Sequence, residues 1–550
     1  MHRASLLLLA LLACRAGLGV GLAARLPAWE AYDEPFHFAY AAQIARQGTL
    51  PDSSNPMHIH PPAYYALVAA FMWLSGSHQT PLAAPDHNWY LYEGNGGINF
   101  ALPPRTAEQR STERDLIAAR LFTALFALLG VALTWRAARA VGLSAPFALI
   151  GTLFFACHPQ ALFSSSTLNN DAASLLSGAL IAWSLVVSIE QRSGRLALLA
   201  LLLSGLGSFF KLSSLPLAMA AYLALILCVS WRRALVYALI GAIVIVLSAL
   251  NLQAMGALLP FAIEINGQAA PIAVWQRLTS ELGGLLLGEA LQHGALSAFG
   301  VFGWGTVKLP LWMIAALWLG TLSGALGVVR LWHRRAIWVL SSAWIALMLS
   351  GLALSLLYYN AQLLNSRYLL PSLAAWSIVL AMGWRALGSV GRFVGAGTVC
   401  GMLGLSAWLS LGGLEAFYAP PIEFVTPSGG GTPLTAEIKL HAYEVLSPTV
   451  RGGEPLEVAL TWGAEGRIDE HYTLRLAFIG ADGNIYGWLY TFHGAGRYPT
   501  GTWRAGTAFR EVYRVPIRHD VPAPSIGYVQ VMLVELKRAI LLDAVPIAVH

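Results

Sequence analysis

The sequence is short of charged residues. Asp, Glu, Lys and Arg make up 11% of the 550 residues, whereas 57% of the residues are hydrophobic. A soluble domain of ordinary composition carries about 25% charged residues. Because so few charges cannot build a surface that faces water, most of the chain must face lipid, and the composition excludes an ordinary soluble enzyme.

Lysine is nearly absent, and the four lysines are Lys211, Lys308, Lys439 and Lys537. The formal net charge of +6 therefore comes from arginine, which lies mostly in short clusters between apolar runs. Such clusters are typical of the cytoplasmic ends of membrane spans. The basic charge thus indicates membrane topology, and we expect no nucleic acid among the partners.

Cysteines are few, and they do not form a recognisable motif. Cys14, Cys157, Cys228 and Cys400 lie in or beside apolar runs. Their spacing is not that of metal ligands, so we expect no disulfide framework. The sequence also lacks a P-loop, which argues against an ATP-driven pump.

Long apolar runs are what the sequence has in abundance. A helix that crosses a membrane needs about 20 largely apolar residues. About eleven runs qualify, near 4–22, 115–135, 144–160, 172–189, 195–211, 213–230, 234–252, 310–329, 337–358, 368–384 and 393–413. They predict an all-α polytopic membrane domain over residues 1–413.

Arginine clusters orient these runs. If the runs alternate strictly across the membrane, every cluster falls on the same side, which the positive-inside rule makes cytoplasmic. The clusters are at Arg3, Arg136 and Arg139, Arg192 and Arg195, Arg232 and Arg233, Arg330, Arg334 and Arg335, and Arg385 and Arg392. We therefore predict a cytoplasmic N-terminus and an extracytoplasmic C-terminus. The alternative that the first run is a cleaved signal peptide stays open.

Two long loops lie on the predicted outer side, at residues 23–114 and 253–309. The inner loops are only a few residues long, so we expect the chemistry on the extracytoplasmic face. The apolar stretch at 61–75 is too short for a span, and counting it as one would move the arginine clusters outside. We interpret it as a juxtamembrane helix at the membrane surface.

The tail, residues 435–550, has a different pattern. Hydrophobic residues alternate with other residues at Leu456, Val458, Leu460 and Trp462, as in a half-buried strand. Similar strands are predicted near 436–446, 474–478, 485–492, 508–515, 526–535 and 539–548. About seven short strands predict an extracytoplasmic β-sandwich, with residues 414–434 as the linker.

A polar cluster follows the first run. Asp33-Glu34-Pro35 predicts the start of a helix, because an acid suits the N-cap and proline suits the first turn. Gly48 predicts its end. Asp33 and His37 are four residues apart and share a face of that helix. One acid is explained by capping, whereas the second acid and the histidine indicate a functional site.

Two more histidines lie downstream, in His58-Ile59-His60. In an extended segment both would point the same way, and with Asp33 and His37 they would form a possible divalent metal site. In the alternative interpretation, which we favour, His58 positions the loop and His60 lines the active site.

Three later positions on the outer side carry unusual polar residues. Asn170 and Asp171 precede a span, where they cap its helix or contribute to the site. Lys211 ends the fifth run, where it snorkels or binds a phosphate. Arg367 and Tyr368 open the tenth run. Because this arginine lies against the positive-inside trend, it needs an anionic partner, either a lipid phosphate or an acidic side chain.

Taken in order, these motifs resemble the GT-C glycosyltransferases, in particular family 39-like and Rgt-type bacterial members. The resemblance covers residues 1–413 and includes the acidic pair, His60-Pro61-Pro62-Ala63-Tyr64-Tyr65, the Asn-Asp pair, the late lysine and Arg367-Tyr368. It implies a multi-pass enzyme of a bacterial inner membrane that moves a sugar from a polyprenyl-phosphate-linked donor to an extracytoplasmic glycan, lipid or protein, with inversion.

The resemblance also implies roles for individual residues. Asp33 matches the catalytic acid of the first loop, with Glu34 as its neighbour, and Lys211 and Arg367 match positions near the carrier phosphate. The remaining substrate-binding candidates are His37, His60, Tyr64, Asn170, Asp171 and Tyr368.

Two other classes of protein are the alternatives. A transporter or flippase would have polar residues along mid-bilayer faces and matched halves, and the sequence has neither. A non-catalytic scaffold would bind glycans through tail aromatics such as Trp488, Tyr490 and Trp503, although core packing is the use that we favour for them.

Overall fold

The computed structural model describes residues 2–79, 82–93, 99–255, 264–265, 268–269, 275–358, 360–427, 430–447 and 449–547. The chain forms two compact units. The helical unit comprises Met1–Leu26, Ala31–Thr80 and Glu113–Leu414, and the sheet unit comprises Pro27–Glu30, Pro81–Thr112 and Glu415–His550. This division groups the first loop differently from the predicted limits of 1–413, 414–434 and 435–550, which remain a prediction.

Each of the eleven predicted apolar runs coincides with helix. The α-helices are His2–Arg25, Glu34–Gln47, Ala63–Leu74, Ala107–Ala140, Ala145–Ala156, Pro159–Ser165, Asp171–Gln191, Gly194–Gly207, Ala218–Cys228, Trp231–Ala254, Glu281–Ser297, Leu311–Val328, Arg335–Tyr358, Leu373–Ala386, Gly388–Trp408 and Leu414–Phe417. The polytopic helical architecture predicted from the sequence is therefore confirmed.

The number of long spans is smaller than eleven. Among the described residues, eight helices are long and apolar enough to cross a membrane, and a ninth span is formed if Ala145–Ala156 and Pro159–Ser165, bent by 53°, count as one. Two predicted spans are the shorter helices Gly194–Gly207 and Leu212–Cys228. Prolines account for the bend and for the second short helix, because proline removes a backbone donor and breaks a helix: Pro159 lies at the bend and Pro216 lies inside the 3₁₀ turn Leu212–Leu217.

Close helix packing brings two site-bearing segments together. A Cβ atom at Gly178, in the helix Asp171–Gln191, would lie 1.8 Å from the carbonyl oxygen of Pro371. Pro371 belongs to the 3₁₀ segment Ser366–Ser372. Only glycine allows this approach, and it sets the segment that carries Arg367 against the helix that begins at Asp171.

The sheet unit contains two antiparallel sheets. A four-stranded sheet has the spatial order Ile485–Thr491, Leu474–Gly480, Ser525–Leu533 and Arg538–Ile547. A five-stranded sheet has the order Ile422–Val425, Thr507–Pro516, Pro455–Ala464, Ile438–Val445 and Thr432–Pro433. Residues of both sheets form one hydrophobic core around Trp462, Phe478 and Phe509, so the predicted C-terminal β-domain is confirmed.

The alternation read from the sequence matches the burial of the strands. The predicted inward residues Leu456, Val458, Leu460 and Trp462 are at most 1% exposed. Trp503 is also buried and packs against Phe509, with ring centroids 4.8 Å apart. It is a core residue and is not available to a glycan, in contrast to Trp488, which is 48% exposed.

Parts of the first loop belong to the sheet unit. The buried carboxylate of Glu30 accepts a hydrogen bond from the backbone N–H of Phe100 at 2.9 Å and lies 3.6 Å from the guanidinium of Arg497. Asn99 donates to the carbonyl of Gly496. A carboxylate this deeply buried needs such partners, so these contacts fix the loop within this unit.

Candidate active site

Asp33 occupies the position before the helix Glu34–Gln47. The predicted helix signals are confirmed, since Pro35 lies in the first turn and Gly48, with φ 68°, ends the helix. Asp33 itself has φ 62°, a left-handed conformation that costs energy for a residue with a side chain. Its side chain makes no capping hydrogen bond. Instead, its carboxylate lies 3.4 Å from the guanidinium of Arg367.

Arg367 is held between aromatic rings. Its guanidinium carbon lies 4.4 Å from the ring centroid of Tyr32 and 5.1 Å from that of Tyr368, and the guanidinium donates to the Tyr368 hydroxyl at 3.1 Å. The anionic partner that we expected for Arg367 from the sequence is therefore an acidic side chain, Asp33. Both side chains of this pair retain 16% exposure, and Arg367 lines the adjacent cavity.

Glu34 has a different environment from its neighbour. Its carboxylate is fully buried and receives two hydrogen bonds from Arg120, at 2.8 and 2.5 Å, and one from the backbone N–H of Leu168 at 3.0 Å. Arg120 also donates to the carbonyls of Ala23 and Leu26. This arrangement favours a structural task for Glu34.

Arg120 was missed by the sequence analysis, although a signal for it exists. It lies inside the apolar run 115–135, and a charge at such a position is expensive unless it has a partner. That cost alone marks Arg120 as a residue with a specific task.

Lys211 and Asp171 form a second buried ion pair. Lys211 is 6% exposed, so it does not snorkel to the surface. Its ammonium also lies 4.9 Å from the ring centroid of Tyr368. Asp171 is the first residue of its helix, and its backbone N–H is capped by the side chain of Asn169, at 2.8 Å, which leaves the carboxylate to the lysine.

His37 and His60 lie next to each other, with ring centroids 5.8 Å apart. His37 Nδ1 shares a hydrogen bond of 2.7 Å with the Tyr65 hydroxyl, and His60 Nδ1 lies 3.3 Å from the side-chain nitrogen of Asn170. Burial lowers the pKa of His37 well below its ordinary value and lowers the pKa of His60 to about 3. Both rings are therefore neutral hydrogen-bonding groups.

Tyr64 was predicted to bind substrate, and its hydroxyl is engaged elsewhere. The side chain is completely buried, and the hydroxyl bonds to that of Thr123 at 2.8 Å. The contact joins Ala63–Leu74 to Ala107–Ala140, so Tyr64 serves as a link between these two helices.

The four candidate metal ligands do not converge. His58 lies in a 3₁₀ turn, Pro56–Ile59, and not in the extended segment expected from the sequence; its Nδ1 contacts the carbonyl of Asn55 at 2.8 Å. Asp33, His37 and His60 each have the partners described above. Within the described part of the chain, no group of three or more His, Cys, Asp or Glu side chains could hold a metal ion.

Two cavities flank residues 365–370. The first has a volume of about 120 Å³ and a lining rich in polar side chains that includes Tyr32, Gln160, Asn169, Trp304, Asn365 and Arg367. The second has a volume of about 210 Å³ and an apolar, aromatic lining that includes Phe299, Trp318, Trp344, Leu369 and Trp376. Residues of one short segment thus separate a polar compartment from an apolar one.

One family of known proteins matches part of the chain. Residues 112–252 match the family described as dolichyl-phosphate-mannose-protein mannosyltransferase. No curated protein matches the chain. The match, which includes Arg120, Asp171 and Lys211, confirms the resemblance to the GT-C superfamily. Together with the helices, it supports a multi-pass membrane glycosyltransferase of the GT-C type.

Proposed function

We propose that this protein transfers a sugar from a polyprenyl-phosphate-linked donor to a hydroxyl group of an extracytoplasmic glycan, lipid or protein, with inversion at the anomeric carbon. The observation that carries the proposal is the position of Arg367. It contacts Asp33, lines the polar cavity and belongs to the segment that borders the apolar cavity. A lipid-linked sugar has the same division into a polar head and an apolar chain.

Two cations support a phosphate site at this boundary. Lys211 and Arg367 both pack against the ring of Tyr368, at 4.9 and 5.1 Å from its centroid. Charge-assisted hydrogen bonds from such groups stabilise a phosphate, and they do so most strongly when it gains charge as a leaving group. The apolar cavity, with the stacked Trp344 and Trp376 at 5.1 Å, suits the first isoprene units.

Asp33 is the general base in this proposal. Its carboxylate takes the proton of the acceptor hydroxyl while the acceptor oxygen forms a bond to the anomeric carbon. On the opposite face of the sugar the bond to the phosphate oxygen breaks, and the electron pair leaves with the polyprenyl phosphate. A single carboxylate suffices, because an inverting displacement needs no covalent intermediate on the enzyme.

The environment of Asp33 suits this task. Burial raises its pKa above the ordinary value, and the charge of Arg367 opposes that shift. The result is a carboxylate that is a stronger base than an exposed aspartate.

Reconstitution tests the proposal. Purified protein in lipid nanodiscs is mixed with polyprenyl-phosphate hexoses and pentoses and with a cell-envelope glycan fraction, and products are followed by mass spectrometry. We expect sugar to move to the acceptor and polyprenyl phosphate to be released in equal amounts. No transfer from any donor in the panel, by protein that is folded, would overturn the proposal.

The proposed side of the membrane has its own test. Alkaline phosphatase fused after Gly413 should be active, and the same enzyme fused after Arg139 should be inactive. The reverse pattern would place the site on the cytoplasmic face.

A further inference from the structure

Gln160 is a buried amide that the proposed chemistry does not use. Its side chain is 4% exposed, lines the polar cavity, and has an Oε1 atom with no hydrogen-bond partner among the described residues. A buried carbonyl oxygen left in this state destabilises the protein. Such a cost at a cavity wall points to a ligand that supplies the missing donor.

Gln160 lies just after a break between two helices. The helix Ala145–Ala156 ends at Cys157, and Pro159 starts a new helix whose axis is bent by 53°. The residues on either side of Pro159 line different cavities: His158 lines the apolar cavity, whereas Gln160 lines the polar one.

An aromatic wall completes the polar cavity. Trp304 lies in a tight hairpin between Val301–Phe302 and Val307–Lys308, flanked by two glycines with positive φ. Its ring contacts that of Tyr32, with centroids 4.9 Å apart. Aromatic faces pack well against the C–H groups of a sugar ring, and amides pair with its hydroxyls.

The charged residues that line the cavity restrict the charge of the ligand. Asp171 and Arg367 are the charged residues among its described lining, and each already has an ionic partner, Lys211 and Asp33 respectively. The remaining polar lining consists of neutral groups, including Asn169 and Gln160. In the proposed function both pairs also face the carrier phosphate, which leaves no further charged side chain of the described lining for a carboxylate or ammonium group on the sugar itself.

We propose that this cavity holds the transferred sugar, that the sugar is an uncharged monosaccharide, and that Gln160 Oε1 accepts a hydrogen bond from one of its hydroxyls. The proposal rests on the proposed function and adds a residue that selects the donor. Gln160 is thus a specificity determinant, and Asp33 remains the base.

Deoxy donors test the proposal. Wild-type protein and Gln160→Leu are compared on the polyprenyl-phosphate sugar that the wild type uses and on the analogues that each lack one hydroxyl. The wild type should lose about 5- to 150-fold in kcat/KM on one analogue, as expected for the loss of one hydrogen bond to a buried group. Gln160→Leu should use that analogue and the parent sugar about equally, and should retain the wild-type response to the others.

Controls separate this inference from the proposed function. Gln191→Leu, at the exposed end of the helix Asp171–Gln191, makes the same chemical change far from the cavity lining and should keep the wild-type pattern. If Gln160→Leu is not recovered as folded protein, Gln160→Met replaces it, and thermal unfolding verifies both. Donors that carry a carboxylate or an amine should be at least tenfold poorer in wild type.

Two results would overturn this inference and leave the proposed function standing. In the first, the wild type transfers sugar, and Gln160→Leu loses as much kcat/KM on every deoxy analogue as the wild type does. In the second, the wild type transfers a charged sugar efficiently. Absence of transfer from any donor would instead overturn the proposed function.

Discussion

Two acid–arginine pairs formed by adjacent residues differ in almost every respect. Glu34 and Arg120 are both fully buried and make two hydrogen bonds, at 2.8 and 2.5 Å. Asp33 and Arg367 meet once, at 3.4 Å, and each side chain keeps 16% exposure beside a cavity. We call Glu34–Arg120 the saturated pair, because two short hydrogen bonds join it. We call Asp33–Arg367 the open pair, because a single longer contact joins it.

In the proposed function, one short motif serves both the fold and the chemistry. Successive residues of a helix point about 100° apart, so Glu34 points towards the helix Ala107–Ala140, while Asp33, just before the helix, contacts Arg367 of the cavity lining. The left-handed φ of Asp33 also fits a functional role, because strained backbone conformations cluster at functional sites.

Breaking the saturated pair should have the largest effect on the protein as a whole. Glu34→Gln leaves Arg120 as a buried charge without its ionic partner, which costs about 3–5 kcal/mol. We expect low yield of folded protein and a clear fall in unfolding temperature in detergent, measured by fluorescence. Since hydrophobic replacement of a whole buried pair is tolerated far better, Glu34→Leu with Arg120→Met should recover most of the loss. Wild-type stability in Glu34→Gln would contradict the structural role.

Breaking the open pair should change catalysis and leave stability nearly intact. Arg367→Ala removes a cation that we assign to the carrier phosphate, and charge-assisted bonds are worth about 1.5–3 kcal/mol. We therefore expect about a 10- to 150-fold rise in donor KM, with acceptor KM within threefold of wild type. Arg335→Ala, on an exposed arginine outside the site, is the matched control. Unchanged donor KM in Arg367→Ala would remove this arginine from the phosphate site.

The smallest expected effect is a change in the pH dependence of transfer, which tests the Asp33–Arg367 pair. Asp33 acts while ionised, so transfer should fall as the pH falls through its folded pKa, which burial places above the ordinary 3.8. Arg367 opposes that rise, so Arg367→Lys should keep the acid limb of the profile near its wild-type position while Arg367→Ala moves it to higher pH. A limb that stays fixed in Arg367→Ala would mean that another group is being titrated.

Local patterns predicted the local structure well. Proline and glycine bounded the first-loop helix, and alternation at Leu456 to Trp462 identified a buried strand, because both signals depend on neighbours in sequence. Local patterns did not predict which residues contact the site residues. Asp33 and Arg367 are separated by 334 positions, and Glu34 and Arg120 by 86.

These separations explain why the sequence alone did not distinguish the tasks of Asp33 and Glu34. The division of labour between Asp33 and Glu34 depends on two arginines on remote helices, and no local pattern distinguishes the two acids. The same holds for Gln160, whose proposed role rests on its place in the cavity lining and on the absence of a hydrogen-bond partner for its Oε1 among the described residues. For His58 the interpretation favoured from the sequence, that it positions the loop, agrees with its place in a 3₁₀ turn, where its ring contacts a backbone carbonyl.

A single-turnover measurement on Asp33→Asn tests the central claim most directly. The variant keeps the shape of the side chain, and its donor affinity is measured first, so that donor-saturated wild type and variant can be mixed with acceptor and followed by rapid quench. We predict a transfer rate about 10²–10⁴-fold below wild type, the usual cost of losing a general base, with donor affinity within threefold. A folded Asp33→Asn protein that transfers sugar at nearly the wild-type rate would contradict the account.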